Sequence, residues 1–342
     1  MRLLVEVLVL RGDIAESRHR VQCALSDAAG TLLAATAQPE AVTSFRSAAK
    51  PFQLLPFVER GHADALGCSE AELAIMAASH TGSRMHLALV HGLLARLGLE
   101  PSQLACGYHD PQDAQSLLDV RRDPGMCGPL YNNCSGKHAG MLAMCRAEGW
   151  PVEGYQLAEH PLQQLLRRTL AECCAVVAER MPAGIDGCSL PVFGLPLARM
   201  AQGYARIAVA MAQGGDRRAL ALQRIGRAMV AHPVVVEGEL RLATAIMRAS
   251  GGRLLAKSGA EGLLLVAEPG RGRGLAIKCE DGAMRGLDPA AVELLERLGL
   301  LTPAELPALA EHRRPPVHNA AGAAVGWLQG HVSTEVMGDV RT

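Results

Sequence analysis

Apolar residues gather in short runs at both ends of the chain and recur at helical spacing through its middle. Residues 1–10, Met1-Arg2-Leu3-Leu4-Val5-Glu6-Val7-Leu8-Val9-Leu10, read as a strand. The run over 21–36 reads as further strand, broken by Asp27-Ala28-Ala29-Gly30 into a hairpin. Three more runs, at 253–257, 262–267 and 273–278, are strand-like and separated by glycine-rich turns. Between these ends the spacing predicts helices after Ser47, from Ser69, and over 84–97, 137–148, 156–180, 196–212 and 217–231, with another over 288–299. Ser69 and Glu72 form a capping box ahead of Leu73-Ala74-Ile75-Met76.

This pattern predicts an α/β fold with α+β tendency, in which a sheet built from both chain ends is covered by helices. No repeat or low-complexity linker divides the chain, and its polar motifs run from residue 46 to residue 282. One integrated domain over 1–342, of one or two tightly packed lobes, is therefore expected. With 342 residues, 49% of them hydrophobic, the chain is long enough for a large core.

Composition removes several function classes. Thirty-four basic residues balance thirty-four acidic ones and aromatics are 3%, so the basic, stacking surface of a nucleic-acid binder is missing. A small neutral or zwitterionic substrate suits such a chain better. No apolar stretch reaches the roughly 18 residues a membrane helix needs. Glu6 interrupts the first run and no small-residue cleavage site follows it, so it reads as strand rather than signal peptide. Ten cysteines without any C-x-x-C point to a reducing cytoplasm, with thiols in the core or acting as ligands.

Only four of the cations are lysines, against thirty arginines, and the four fall in compact polar motifs around Lys50, Lys137, Lys257 and Lys278. A desolvated lysine can lose its proton and act as a base or ligand, whereas arginine stays charged. Ser47-Ala48-Ala49-Lys50 is an S-x-x-K, which on a helix brings hydroxyl and amine onto one face. Lys257-Ser258-Gly259 follows a short strand. An early S-x-x-K and a late K-S-G is the layout of serine β-lactamases and penicillin-binding proteins, although their intermediate S-x-N element is missing. Ala78-Ser79-His80-Thr81-Gly82-Ser83 adds a second serine candidate. Asn132-Asn133-Cys134-Ser135-Gly136-Lys137-His138-Ala139-Gly140 opens a helix. Spacing alone selects Cys134 and His138, at i and i+4, as zinc ligands, with Cys188 of Asp186-Gly187-Cys188-Ser189 as the distant thiolate. Cys23, Cys68, Cys106, Cys127, Cys145, Cys173 and Cys174 read as core thiols, and His232-Pro233 as a helix stop. Lys278-Cys279-Glu280-Asp281-Gly282 follows a strand and either donates a carboxylate to the site or is a plain strand exit, the favoured reading, and its lysine has no assigned role.

Taken in order, S-F-R-S-A-A-K-P-F-Q, A-S-H-T-G-S, N-N-C-S-G-K-H-A-G-M, D-G-C-S-L-P and A-K-S-G-A-E-G resemble the L-asparaginase II family of Rhizobium etli type, the class 3 L-asparaginases. The resemblance implies a fold like that of serine β-lactamases and glutaminases, and hydrolysis of L-asparagine to L-aspartate and ammonia by two serine–lysine pairs. On matching positions the pairs are Ser47 with Lys50 and Ser79 with Lys257, Ser47 being the expected nucleophile. The resemblance also implies a zinc cofactor on Cys134, Lys137 and Cys188, which puts Lys137 where spacing preferred His138. Arg46, Asn133, His138, Asp186, Gly259 and Glu261 are then the substrate-binding candidates, and a cytoplasmic homodimer is the family expectation. Two other classes share part of the pattern. A β-lactamase-like or peptidase-like acyl hydrolase would use the same serine and lysines, and a non-catalytic zinc-dependent binding protein would need only the thiols.

Overall fold

The computed structural model describes residues 1–334. In chain order its strands are β1 (Leu3–Arg11), β2 (Ile14–Asp27), β3 (Leu32–Ala35), β4 (Val42–Ser44), β5 (Ala183–Ile185), β6 (Pro191–Pro196), β7 (Leu255–Gly259), β8 (Leu263–Glu268), β9 (Arg273–Cys279), β10 (Pro316–His318) and β11 (Ala324–Thr334). Its α-helices are α1 (Lys50–Glu59), α2 (His62–Ala65), α3 (Glu70–Met76), α4 (Arg84–Arg96), α5 (Ala114–Arg122), α6 (Ser135–Glu148), α7 (Pro161–Cys173), α8 (Leu197–Gln213), α9 (Arg217–Ala231), α10 (Pro233–Glu237), α11 (Leu242–Ala249), α12 (Met284–Arg297) and α13 (Ala310–Arg313).

The main sheet runs β10-β11-β1-β2-β9-β8-β7, with β3 beside β2. All its ladders are antiparallel. Because β11 pairs with β1 and β9 with β2, the two ends of the chain build one sheet, the α/β arrangement that the hydrophobic pattern predicts. In β1, Leu3, Val5, Val7 and Val9 are buried and alternate with less buried positions, which turns one face to the core. Strand β8 is buried along its whole length, as a central strand covered on both faces must be. Helix α8 lies on β2, β8 and β9, and α12 packs against β1, β9 and β11. The approach of α8 is close: a Cβ at Gly274 of β9 would stand 2.1 Å from the Ala201 carbonyl oxygen, so no side chain fits there.

A second, small sheet, β4-β6-β5, carries residues on either side of the candidate motifs. Sequence periodicity does not reveal its strands of three to six residues, and likewise misses α5, α10, α11, β10 and β11. Two predicted helices differ in extent. The one over 156–180 is α7 alone: it starts at Pro161, capped by the His160 ring, and ends at Cys173, after which Ala175 adopts φ +52° and turns the chain away. The helix after Ser47 begins as a 3₁₀ turn over Arg46–Ala49 and becomes α-helical only at Lys50, with Pro51 in its first turn. No helix among the described residues is long and apolar enough to cross a membrane.

Candidate active site

Four distant segments bring the chemistry together. The Ser69 capping box starts α3, whose end at Met76 delivers the Ala78–Ser83 loop. Two main-chain hydrogen bonds hold that loop, Ser79 N to Val236 O at 2.8 Å and His80 N to Asn133 O at 3.2 Å. The Ser79 hydroxyl lies 2.9 Å from Lys50 Nζ and 3.0 Å from Lys257 Nζ. Lys50 enters from the first turn of α1 and also donates to Ala78 O at 2.5 Å, and both lysines are 0% exposed. Burial, then the cations Lys137 and Lys257, push the Lys50 amine down to about 8 against the pull of the Cys134 and Cys188 sulfurs. On β7, Lys257 meets Glu237 at 2.5 Å and the Ser258 carbonyl at 3.0 Å.

The pairing therefore differs from the sequence expectation. Both lysines serve Ser79, and among the described residues the Ser47 hydroxyl has no hydrogen-bond partner. The 3₁₀ geometry of residues 46–49 accounts for this: Lys50 starts α1 pointing into the core, and what it returns to Ser47 is a backbone bond, N–H to the Ser47 carbonyl.

Ser47 and Ser79 line one cleft of about 180 Å³ together with Gln112, Asn133, Glu237, Arg241, Ser258, Gly259, Ala260 and Met284. Of the substrate-binding candidates, Asn133 and Gly259 are thus at the cleft. Arg46 carries φ +44°, a left-handed backbone costing roughly 1 kcal/mol for a non-glycine residue. Its guanidinium pairs with Asp186 at 3.0 Å. Glu261, also at positive φ, is exposed on the β7–β8 turn and does not line the cleft. His138 is buried, with Nδ1 2.6 Å from the Tyr155 hydroxyl. Since Tyr155 accepts from Ala105 N, its own proton goes to His138 Nδ1, which leaves the buried Nε2 without a partner among the described residues. Four cleft residues, Gln112, Glu237, Arg241 and Met284, belong to no motif read from the sequence. Arg241 hydrogen-bonds Gln112, a neutral partner.

Behind the cleft, Cys134 and Cys188 share a hydrogen bond and Lys137 Nζ lies 3.0 Å from Cys188 Sγ, all three buried. The thiols titrate as a pair. The hydrogen bond from Cys188, with Lys137 beside it, holds Cys134 well below the usual thiol range, and the same bond together with burial pushes Cys188 far up. Two sulfurs and an amine converging in a buried cluster fit a zinc ion's preference for S and N donors; His138 is not one of them, because with Nδ1 accepting from Tyr155 its ring proton sits on Nε2. Asp186 links this cluster to Arg46, the residue before Ser47, contacting Cys188 Sγ at 3.7 Å and the Arg46 guanidinium at 3.0 Å.

A second group, His19, Cys279 and Asp281, has its polar atoms within 4.8 Å of one another. Arg285 Nε donates to His19 Nε2 at 3.0 Å, so the ring proton sits on Nδ1 and is given to Asp281 at 2.6 Å. The nitrogen lone pair a metal would need there is occupied by that proton, and the Cys279 thiol is pushed up to about 12 by burial and by Asp281. This group clamps the turn from β9 into α12, the turn that delivers Met284 to the cleft. Lys278 stays outside the cleft, donating to the Cys279 carbonyl.

The chain belongs to the L-asparaginase II family, whose model matches residues 7–330. Among solved structures, Mglu in its glutamate form is similar, with 17% identity over 84% of this chain and 63% of that one, at a TM-score of 0.36. The match thus spans less than two thirds of the Mglu chain. Unliganded simvastatin synthase (LovD) from Aspergillus terreus is 14% identical over 86% of this chain and 92% of its own, at a TM-score of 0.33. No curated protein matches the chain.

Proposed function

We propose that the protein hydrolyses L-asparagine to L-aspartate and ammonia through a serine acyl-enzyme. The observation carrying this reading is the Ser79 hydroxyl held between Lys50 and Lys257 in a cleft shared with Ser47. Ser47 attacks the side-chain amide carbon while its proton passes by way of Ser79 to the neutral Lys50 amine. Backbone N–H groups beside Ser47 hold the oxyanion, and the proton taken up by Lys50 returns through Ser79 to the departing ammonia. Water then hydrolyses the β-aspartyl ester through the same groups in reverse. With Arg46 engaged by Asp186, Arg241 is the cleft cation available to the substrate's α-carboxylate, flanked by Asn133 and Gly259. Cys134, Lys137 and Cys188 would hold a zinc ion, which when bound supplies a fixed positive charge and keeps the Lys137 amine neutral.

The Lys50–Ser79 contact also supports a second reading, in which Ser79 is the nucleophile and Lys50 its direct base. Quenched turnover followed by peptide mass mapping separates the two, since the aspartyl adduct should sit on Ser47 in the first and on Ser79 in the second. Ser47→Ala that releases ammonia from asparagine at the wild-type rate would remove the first. Running glutamine and a chromogenic β-lactam beside asparagine tests the substrate class: β-lactam hydrolysis without ammonia release from asparagine would replace the proposed activity with an acyl hydrolase of the other kind.

A further inference from the structure

Glu237 is the last residue of α10 and is 2% exposed. Its Oε1 accepts from Lys257 Nζ at 2.5 Å and from Ser258 N at 2.7 Å, and the Ser258 hydroxyl reaches both carboxylate oxygens at 2.8 and 2.7 Å. Lys257 Nζ has three neighbours, Glu237 Oε1, Ser79 Oγ and the Ser258 carbonyl. An ammonium has three N–H donors and no acceptor, so this environment suits it completely. A neutral amine there would have only two protons for the three sites and would leave Glu237 as an uncompensated buried charge, which is strongly unfavourable. Lys50 has a different environment. It donates to one carbonyl, meets the same serine oxygen, and has no carboxylate contact.

We propose that Glu237 is a positioning residue that holds Lys257 as the permanent cation of the site and aligns Ser258 beside it. Ser79 then accepts a hydrogen bond from Lys257, so its own proton is directed toward Lys50. One carboxylate thereby makes two equally buried lysines unequal and sets the direction of proton flow. The charged or titratable groups around Lys257 are Glu237 from α10 and Lys50 from α1, with Arg241 at the cleft and Tyr204 of α8, whose hydroxyl is donated to Ala48 O at 2.8 Å.

Because the chain has only four lysines, ¹³Cε-lysine NMR reads their charges individually, with Lys257→Arg and Lys278→Arg giving assignments. In the wild type the Lys257 signal should be that of an ammonium, and in Glu237→Gln under the same conditions it should become that of an amine. A wild-type Lys257 signal already that of an amine near neutral pH overturns the proposal even if Glu237→Gln does not fold. The kinetic arm rests on the proposed amide hydrolysis. Glu237→Gln should lower kcat about a hundredfold with KM changed less than about threefold. Adding Glu237→Gln to Lys257→Met should lower kcat no further, whereas an additive loss shows that Glu237 does not act through Lys257. If the wild type hydrolyses no amide, the functional reading fails and the NMR arm still decides the charge of Lys257.

Discussion

At the scale of single residues, protonation is decided by neighbours rather than by depth. Lys50 and Lys257 are equally buried, but only Lys257 meets a carboxylate. If Lys50 is the base, kcat should rise as pH passes through about 8, where its amine becomes neutral, and level off above. Lys50→Arg, which cannot supply a neutral amine, should lose about 10²–10⁴ in kcat and the rise with it. Linkage gives the same window for stability. Between about 8 and the ordinary 10.5 the unfolded chain holds a Lys50 proton that the folded protein has lost, so this group's contribution to stability increases with pH there. For the thiol cluster, elemental analysis should find zinc in the purified protein, and Cys188→Ser should lose it together with part of its thermal stability. The scarcity of lysine marks Lys50, Lys137, Lys257 and Lys278 alike; the role of Lys137 comes from the resemblance rather than from the scarcity, and Lys278 lies outside the cleft. Glu237 is not legible from the sequence, because it ends an apolar Val234-Val235-Val236 run and belongs to no spacing pattern, and Arg241 is one arginine among thirty.

At the scale of elements, the site depends on how closely helices approach one another. A Cβ at Gly136 near the start of α6 would come 2.2 Å from the Ile75 carbonyl oxygen of α3, the helix that leads to Ser79. Gly136→Ala must therefore separate α3 from α6. It should cost about 1–3 kcal/mol in thermal unfolding and lower kcat more than a surface Gly→Ala such as Gly92→Ala, whose added Cβ meets nothing within 4 Å. The strongly periodic elements are readable from sequence: α9 spans the predicted 217–231, and the capping box at Ser69 forms where Ser69 and Glu72 place it. What periodicity does not carry is the 3₁₀ turn over residues 46–49, where the helical face implied by S-x-x-K is lost and with it the expected Ser47–Lys50 contact. That outcome is set by Pro51 and by the tertiary pull on Lys50, neither of which leaves a periodic trace.

At the scale of the whole molecule, the alternating runs at the two ends correctly indicate a shared sheet, but strand order is not readable from them, since antiparallel pairing of β1 with β11 joins residues more than three hundred positions apart. A chain stopped after Ala323 would strip β11 from β1 and expose a long apolar edge. Its expected behaviour is aggregation and loss of a cooperative melting transition, checked by solubility and calorimetry. The same wiring has a temporal side. Translation runs from the first residue to the last, so Ser47, Lys50 and Ser79 leave the ribosome long before Lys257 on β7, and β1 and β2 wait for partners, β11 and β9, that are made near the end. A nascent chain thus carries both serines before Lys257 is made, and its β1–β2 hairpin stands with both outer edges open until β9 and β11 follow.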